Sequence, residues 1–179
     1  DMRMDGYYTH QEYLSKELSL LKPDAIVLEL GVGDGGSKDA KGSSLLMYQF
    51  AKENPKATVY AFESDQSWLN QMKEKYSLDN YIFTSIPDWD TIGDALIKHD
   101  RFNLVFVDQS PWEARSNSID ALKSNVDVFV VHDYDYFNRG YSSRYVSDEN
   151  SWWGQTYSKD FEIEDYYSLL PPTLIMRKR

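Results

Sequence analysis

The stretch Leu28-Glu29-Leu30-Gly31-Val32-Gly33-Asp34-Gly35-Gly36-Ser37 constrains this chain more than any other. It joins an apolar run, Ala25 to Leu30, to a helix-like stretch, Ser43 to Glu53, and the run reads as a buried strand. Four glycines stand within the six positions from Gly31 to Gly36. Glycine at that density after a strand lets the backbone turn sharply and come closer to a ligand than any Cβ would allow. In an open parallel sheet, the crevice at the carboxyl end of the first strand is where nucleotide-like ligands settle. Glu29 is the unusual member. A carboxylate inside a buried strand is costly unless it is hydrogen-bonded, so it needs a reason.

The rest of the chain alternates strand and helix. Thr9 opens a helix with Glu12 at capping-box spacing, and Pro23 ends it. After the first crossover helix, Ala57–Phe62 reads as strand two, and Asp65 caps a helix to about Tyr76 with Trp68, Leu69 and Met72 inward. Tyr81–Thr84, Phe102–Val107 and Val126–Val131 read as strands three to five, with helices at Thr91–Ile97 and Glu113–Leu122. Such alternation calls for a parallel sheet with helices on both faces. Residues 134–158 are rich in Tyr, Trp, Ser and Asn without apolar periodicity and read mostly as loop. Phe161–Tyr167 and Thr173–Met176 read as two final strands, and their connection is too short for a helical crossover, so the pair is expected to be antiparallel.

With 179 residues and 41% hydrophobic content, the expectation is one globular domain spanning 1–179. Its 29 acidic and 19 basic residues give a formal charge of −10. That disfavours nucleic acid and acidic membrane surfaces as partners, since polyanion binders draw affinity from Lys and Arg. The absence of cysteine excludes disulfides and thiolate metal sites. No membrane span and no secretory pattern is evident, so a cytoplasmic protein is expected.

Four places fall at the carboxyl ends of successive strands: the glycine loop, Glu63, Asp108 and His132-Asp133. Glu63 reads as a ribose ligand, with helix capping as the plainer alternative. Asp108 also suits a turn before Pro111, His132 a satisfied core histidine, and Asp133 a cap or turn.

In these motifs the chain resembles the class I S-adenosylmethionine-dependent methyltransferases. The resemblance rests on Glu29-Leu30-Gly31-Val32-Gly33-Asp34-Gly35 as an acidic-x-Gly-x-Gly-x-Gly signature. It continues through the acids that end strands two and four, Glu63 and Asp108, over residues 20 to 135. It implies a Rossmann-like α/β fold, with a mostly parallel seven-stranded sheet ending in an antiparallel pair. It also implies S-adenosylmethionine as cofactor. Gly31, Gly33 and Gly35 would approach its amino-acid end, Glu29 would help hold its ammonium, and Glu63 would accept both ribose hydroxyls. Asp88 would face the adenine, with Trp89 as a stacking surface. A narrower similarity to catechol-type O-methyltransferases implies Mg²⁺ on Asp108 and Asp133, although Tyr134 stands where that family has an Asn ligand, so that Asp135 or water would have to fill that place. Without metal, His132, with Asp133 beside it, would serve as general base for a hydroxyl substrate.

The acceptor expected is a small molecule. The aromatic segment, including Tyr134, Tyr136, Phe137, Tyr141, Tyr145, Trp152, Trp153 and Tyr157, would form a lid over it or pack the loop onto the sheet. Arg139 and Arg144 would meet an anionic group on the acceptor, or solvent. Two rivals stand beside this reading. Gly31, Gly33 and Gly36 also satisfy a dinucleotide fingerprint, so an NAD-dependent oxidoreductase is one. Against it, Glu63 lies 27 residues past Gly36, where that fingerprint expects an acid about 20 on. The other rival is a non-catalytic cofactor-binding protein of the same fold.

Overall fold

A computed structural model describes residues 10–34, 42–134, 152–166 and 172–179. All seven expected strands form: β1 (Ile26–Leu30), β2 (Thr58–Glu63), β3 (Tyr81–Ser85), β4 (Leu104–Val107), β5 (Val128–His132), β6 (Phe161–Tyr166) and β7 (Thr173–Lys178). They make one sheet in the order β3-β2-β1-β4-β5-β7-β6. The first five strands run parallel. β7 is antiparallel to both β5 and β6. Strand order reverses beside β1, which is the topological switch point where such sheets take ligands.

The helices are α1 (Ser15–Ser19, continuing a π-helical turn His10–Leu14), α2 (Ser43–Glu53), α3 (Gln66–Lys75), α4 (Ile92–Ala95), α5 (Glu113–Leu122) and α6 (Trp152–Tyr157). Thr9, the expected cap of the first helix, lies outside the described residues. Asp65 caps α3 as expected, accepting from the Trp68 N–H at 3.0 Å.

Alternation along the central strands divides the core into two layers. Leu28, Leu30, Val105, Val107, Phe129 and Val131 pack with Ile92, Ile119 and Leu122 from α4 and α5. Val27, Val59, Ala61, Phe106 and Val130 pack with Leu14, Met47, Phe50 and Met72 from the other helices. Each of these side chains larger than alanine, fully buried, contributes about 1.5–3 kcal/mol, and strands covered by helices on both faces are apolar on both. Glu29 points into the second layer and is the exception to its apolar pattern.

The expected loop at 134–158 is corrected over its ends. Tyr134 is buried, and Trp152, Trp153 and Tyr157 lie on the α6 turn inside the first core layer. Trp152 and Trp153 meet edge-on, with ring centroids 4.8 Å apart. The large ring areas find their burial against the sheet, so these four residues are core and not lid. Tyr136, Phe137, Arg139, Tyr141, Arg144 and Tyr145 lie outside the described residues.

The register sets the functional edge. Leu30 is level with Phe62 of β2 and Val107 of β4, and Val107 is level with Val131 of β5. Gly31, Glu63, Asp108 and His132, each the residue after these, therefore stand together at one sheet edge.

Candidate active site

Gly31 opens the turn after β1 with φ +86°, a left-handed conformation. A Cβ there would sit 2.6 Å from the Asp108 carbonyl oxygen and 2.9 Å from the Gln109 nitrogen. Both the backbone angle and the neighbouring chain therefore demand glycine. At Gly33, by contrast, a Cβ would meet nothing within 4 Å among the described residues. Gly35 lies outside them.

The turn is held from below and from the side. The Gly33 N–H donates to Ser44 Oγ at 3.0 Å, and the Ser44 N–H donates to the Gly33 carbonyl at 2.8 Å. The Trp68 indole N–H donates to the Val32 carbonyl at 2.6 Å. Beneath them, Glu29 Oε2 accepts the Ser43 and Ser44 hydroxyls at 2.7 and 2.8 Å, and Oε1 accepts the Tyr81 hydroxyl. Glu29 is 0% exposed. Burial pushes its carboxyl up to about 7, against the three hydroxyl bonds that lower it. This answers why an acid sits in the strand: it fastens the start of α2 and the start of β3 under the loop. With three hydroxyls around the carboxylate and 0% exposure, nothing among the described residues supports the expected ammonium contact.

Glu63 sits half-buried beside the turn. Its Oε1 accepts the Val32 N–H at 3.2 Å, and its Oε2 accepts the Ser64 and Asp65 N–H groups at 2.8 and 3.0 Å. A carboxylate has about four acceptor positions, so these three bonds orient it and leave room on Oε1 for a hydroxyl. Asp88 is exposed and caps the 3₁₀ turn Trp89–Thr91, accepting from the Asp90 N–H at 3.0 Å. Trp89 is buried in the first core layer, and its indole N–H donates to the Ser110 carbonyl at 3.0 Å. The expected stacking role of Trp89 is thereby corrected, since its ring faces packed side chains.

At the other half of the edge the organising residue is Arg115, on α5. It is 5% exposed. Its Nε donates to the Gln109 carbonyl at 2.8 Å, Nη1 to the His132 carbonyl at 2.6 Å, and Nη2 to Asp108 Oδ1 at 3.1 Å. One guanidinium thus ties the ends of β4 and β5 together. Burial lowers its pKa while the charges of Asp108 and Asp133 raise it. Asp133 takes φ 60°, where Asp is tolerated better than most residues, and its N–H donates to the Pro172 carbonyl at 2.8 Å. His132 is 9% exposed. Burial, and then the Arg115 charge, push it down to about 3. Both effects work against protonation of this ring, so the structure lends the expected general-base role no support.

Among the described residues, which do not include Asp135, the donor set does not fit Mg²⁺. The Arg115 guanidinium lies on Asp108 and within the field of Asp133, the two acids the ion would need. Tyr134 is fully buried and its hydroxyl reaches Asp165 Oδ2 at 3.4 Å, so it supplies no ligand in the place of Asn. Among the described residues, no group of three or more His, Cys, Asp or Glu is placed to hold a metal.

Ser43, Ser44, Tyr81, Trp68 and Arg115 were not singled out as functional from sequence. A signal exists for three of them. Ser43 and Ser44 follow the glycine loop directly at a helix start, and Arg115 shares an i, i+4, i+7 stripe with Ile119 and Leu122. A cation on an apolar stripe is a buried cation with a partner to find.

No family model matches the chain, and no curated protein matches it. Solved structures do. One is an rRNA methylase from Streptococcus thermophilus, 14% identical, with a TM-score of 0.58 over 92% of this chain and 93% of that one. Another is the fibrillarin pre-rRNA processing protein of Methanococcus jannaschii, 14% identical, with a TM-score of 0.62 over 88% and 67%. The MycE methyltransferase of the mycinamycin biosynthetic pathway, in complex with Mg and SAH, is 16% identical, with a TM-score of 0.62 over 94% of this chain and 49% of its own. Sheet order, the glycine turn at the switch point and these neighbours agree: the chain has the fold of the class I S-adenosylmethionine-dependent methyltransferases.

Proposed function

We propose that this chain transfers the methyl group of S-adenosylmethionine to a hydroxyl of a small-molecule acceptor. The observation that carries the reading is Gly33. Among the described residues neither packing nor an unusual backbone angle asks for glycine there, which supports a ligand approaching the peptide groups of the turn at this point. Glu63, oriented by three backbone N–H groups, takes a ribose hydroxyl from beside that space. Asp88 marks the adenine end, and Asp108 lies toward the transferring end. A cationic sulfonium is favoured in a crevice bounded by carboxylates.

The reaction asks little of a base. The acceptor oxygen displaces the sulfur in line, the sulfonium becomes a neutral thioether, and the acceptor proton leaves to solvent. Rate comes from holding oxygen and methyl in attack geometry. A small acceptor is favoured over a nucleic acid by the net charge of −10, which repels a phosphate backbone. The neighbours named above include an rRNA methylase as well as an enzyme of mycinamycin biosynthesis, so the acceptor test carries an RNA arm.

Calorimetry with S-adenosylmethionine, S-adenosylhomocysteine and NAD⁺ is the first test. Binding of the two methionine-derived ligands with Kd of about micromolar order, and none of NAD⁺, is expected. Failure of both to bind at high protein concentration removes the reading. Transfer of labelled methyl to hydroxylated small molecules, and not to RNA, is expected next.

A further inference from the structure

Among the features the proposed chemistry does not use, Arg115 stands out: a buried guanidinium placed where a related site would call for a divalent ion. Three of its donors are committed, to the Gln109 and His132 carbonyls and to Asp108 Oδ1. These are two backbone oxygens and one carboxylate from the ends of two adjacent strands, gathered around one cation. Those oxygens are also the hard donors that a magnesium-like ion would seek.

We infer that Arg115 is the built-in cation of this site, holding Asp108 and the end of β5 in place and leaving no room for a divalent metal. The side chain reaches there because α5 begins close behind β4 and carries Arg115 on its apolar stripe. A planar fork with five donors suits several oxygens spread over an arc, where an ammonium would satisfy fewer of them. A second, divalent charge brought onto Asp108 would share that carboxylate with a guanidinium already 3.1 Å from its Oδ1, so the two cations repel one another at close range. Arg115 is a positioning residue here. It acts through Asp108 and the β4 and β5 ends.

The inference deepens the methyl-transfer reading, and its test is separable from the test of that reading. The probe is Mn²⁺, followed by the loss of its free-ion electron paramagnetic resonance signal, on the full chain. S-adenosylhomocysteine calorimetry runs on the same samples. Wild type is expected to leave the Mn²⁺ signal indistinguishable from that of Asp108→Asn, because the acid is already neutralised. Arg115→Met, which uncovers the acids, is expected to bind Mn²⁺ at least about tenfold more tightly than wild type. The double variant Arg115→Met/Asp108→Asn is expected to lose that gain. Saturable Mn²⁺ binding by wild type that Asp108→Asn abolishes overturns the inference, and this pair decides it even if Arg115→Met does not fold. A folded Arg115→Met with no more affinity for Mn²⁺ than wild type overturns it as well. Absent S-adenosylhomocysteine binding counts against the methyltransferase reading alone.

Discussion

At the β1–β2 half of the sheet edge the acid inside the strand, Glu29, is met by the hydroxyls of Ser43, Ser44 and Tyr81. At the β4–β5 half the acid after the strand, Asp108, is met by the guanidinium of Arg115. Neutral donors stabilise a carboxylate only in part, so burial dominates and Glu29 is pushed up to about 7. Beside the buried cation, burial first and then the Arg115 charge push the neighbouring His132 down to about 3. One half of the site therefore rests on a group that takes up a proton near neutrality. The other is a clasp whose charge is fixed. Gly31 joins them, since its turn lies against the backbone of Asp108 and Gln109.

Gly31→Ala attacks that junction and carries the largest expected effect. It combines a left-handed backbone with a Cβ 2.6 Å from a carbonyl oxygen, for a loss of roughly 4 kcal/mol. For a chain of this length the melting temperature should fall by about 10 °C. Differential scanning calorimetry checks it. A variant within a degree of wild type would mean that the two halves are not pressed together at this point.

This junction also shows what the sequence makes legible and what it does not. Four glycines after an apolar run announce a tight turn, and the acids at Glu63 and Asp108 fall at strand ends by counting alone. The strands themselves are visible because each is a short apolar run between turn signals. Arg115, Trp68 and Tyr81 are different. Trp68 and Tyr81 reach the edge from elements distant in sequence, while Arg115 lies only seven residues past Asp108; in each case the packing angle of α3 or α5, or the register of β3, is what brings the side chain there. The aromatic content of Trp152, Trp153 and Tyr157 says that these rings are buried against something. It does not say whether that is a substrate or the protein's own sheet.

Glu29→Gln sharpens the contrast in electrostatics. Folded Glu29 keeps its proton up to about pH 7, while its ordinary value is 4.5. Its contribution to stability is therefore complete below pH 4.5 and is lost as pH rises to about 7. His132 slopes the other way: its contribution is full above 6.5 and is lost as pH falls toward 3. The two oppose each other between pH 4.5 and 6.5. Removing the Glu29 charge should make the variant gain on wild type by up to about 3 kcal/mol between pH 4.5 and 7.5. Urea unfolding at several pH values measures it. Parallel curves for the two proteins would show that burial does not govern this carboxyl.

Gly33→Ala has the smallest expected effect on the protein and the most specific one on its ligand. The residue's N–H and carbonyl both pair with Ser44, and alanine keeps both bonds. With nothing within 4 Å of the new methyl among the described residues, folding has no reason to notice it. Stability should stay within about 0.5 kcal/mol of wild type, or rise slightly, because alanine has less backbone freedom to lose on folding. A ligand lying against the turn has every reason to notice. The methyl projects into the space where the cofactor is proposed to touch the backbone, so S-adenosylhomocysteine should bind at least about tenfold more weakly. Gly31 and Gly33 then separate cleanly, one glycine required by the fold and the other by what the fold holds. Equal affinity in wild type and Gly33→Ala would place the cofactor elsewhere on the edge and leave this glycine without a purpose.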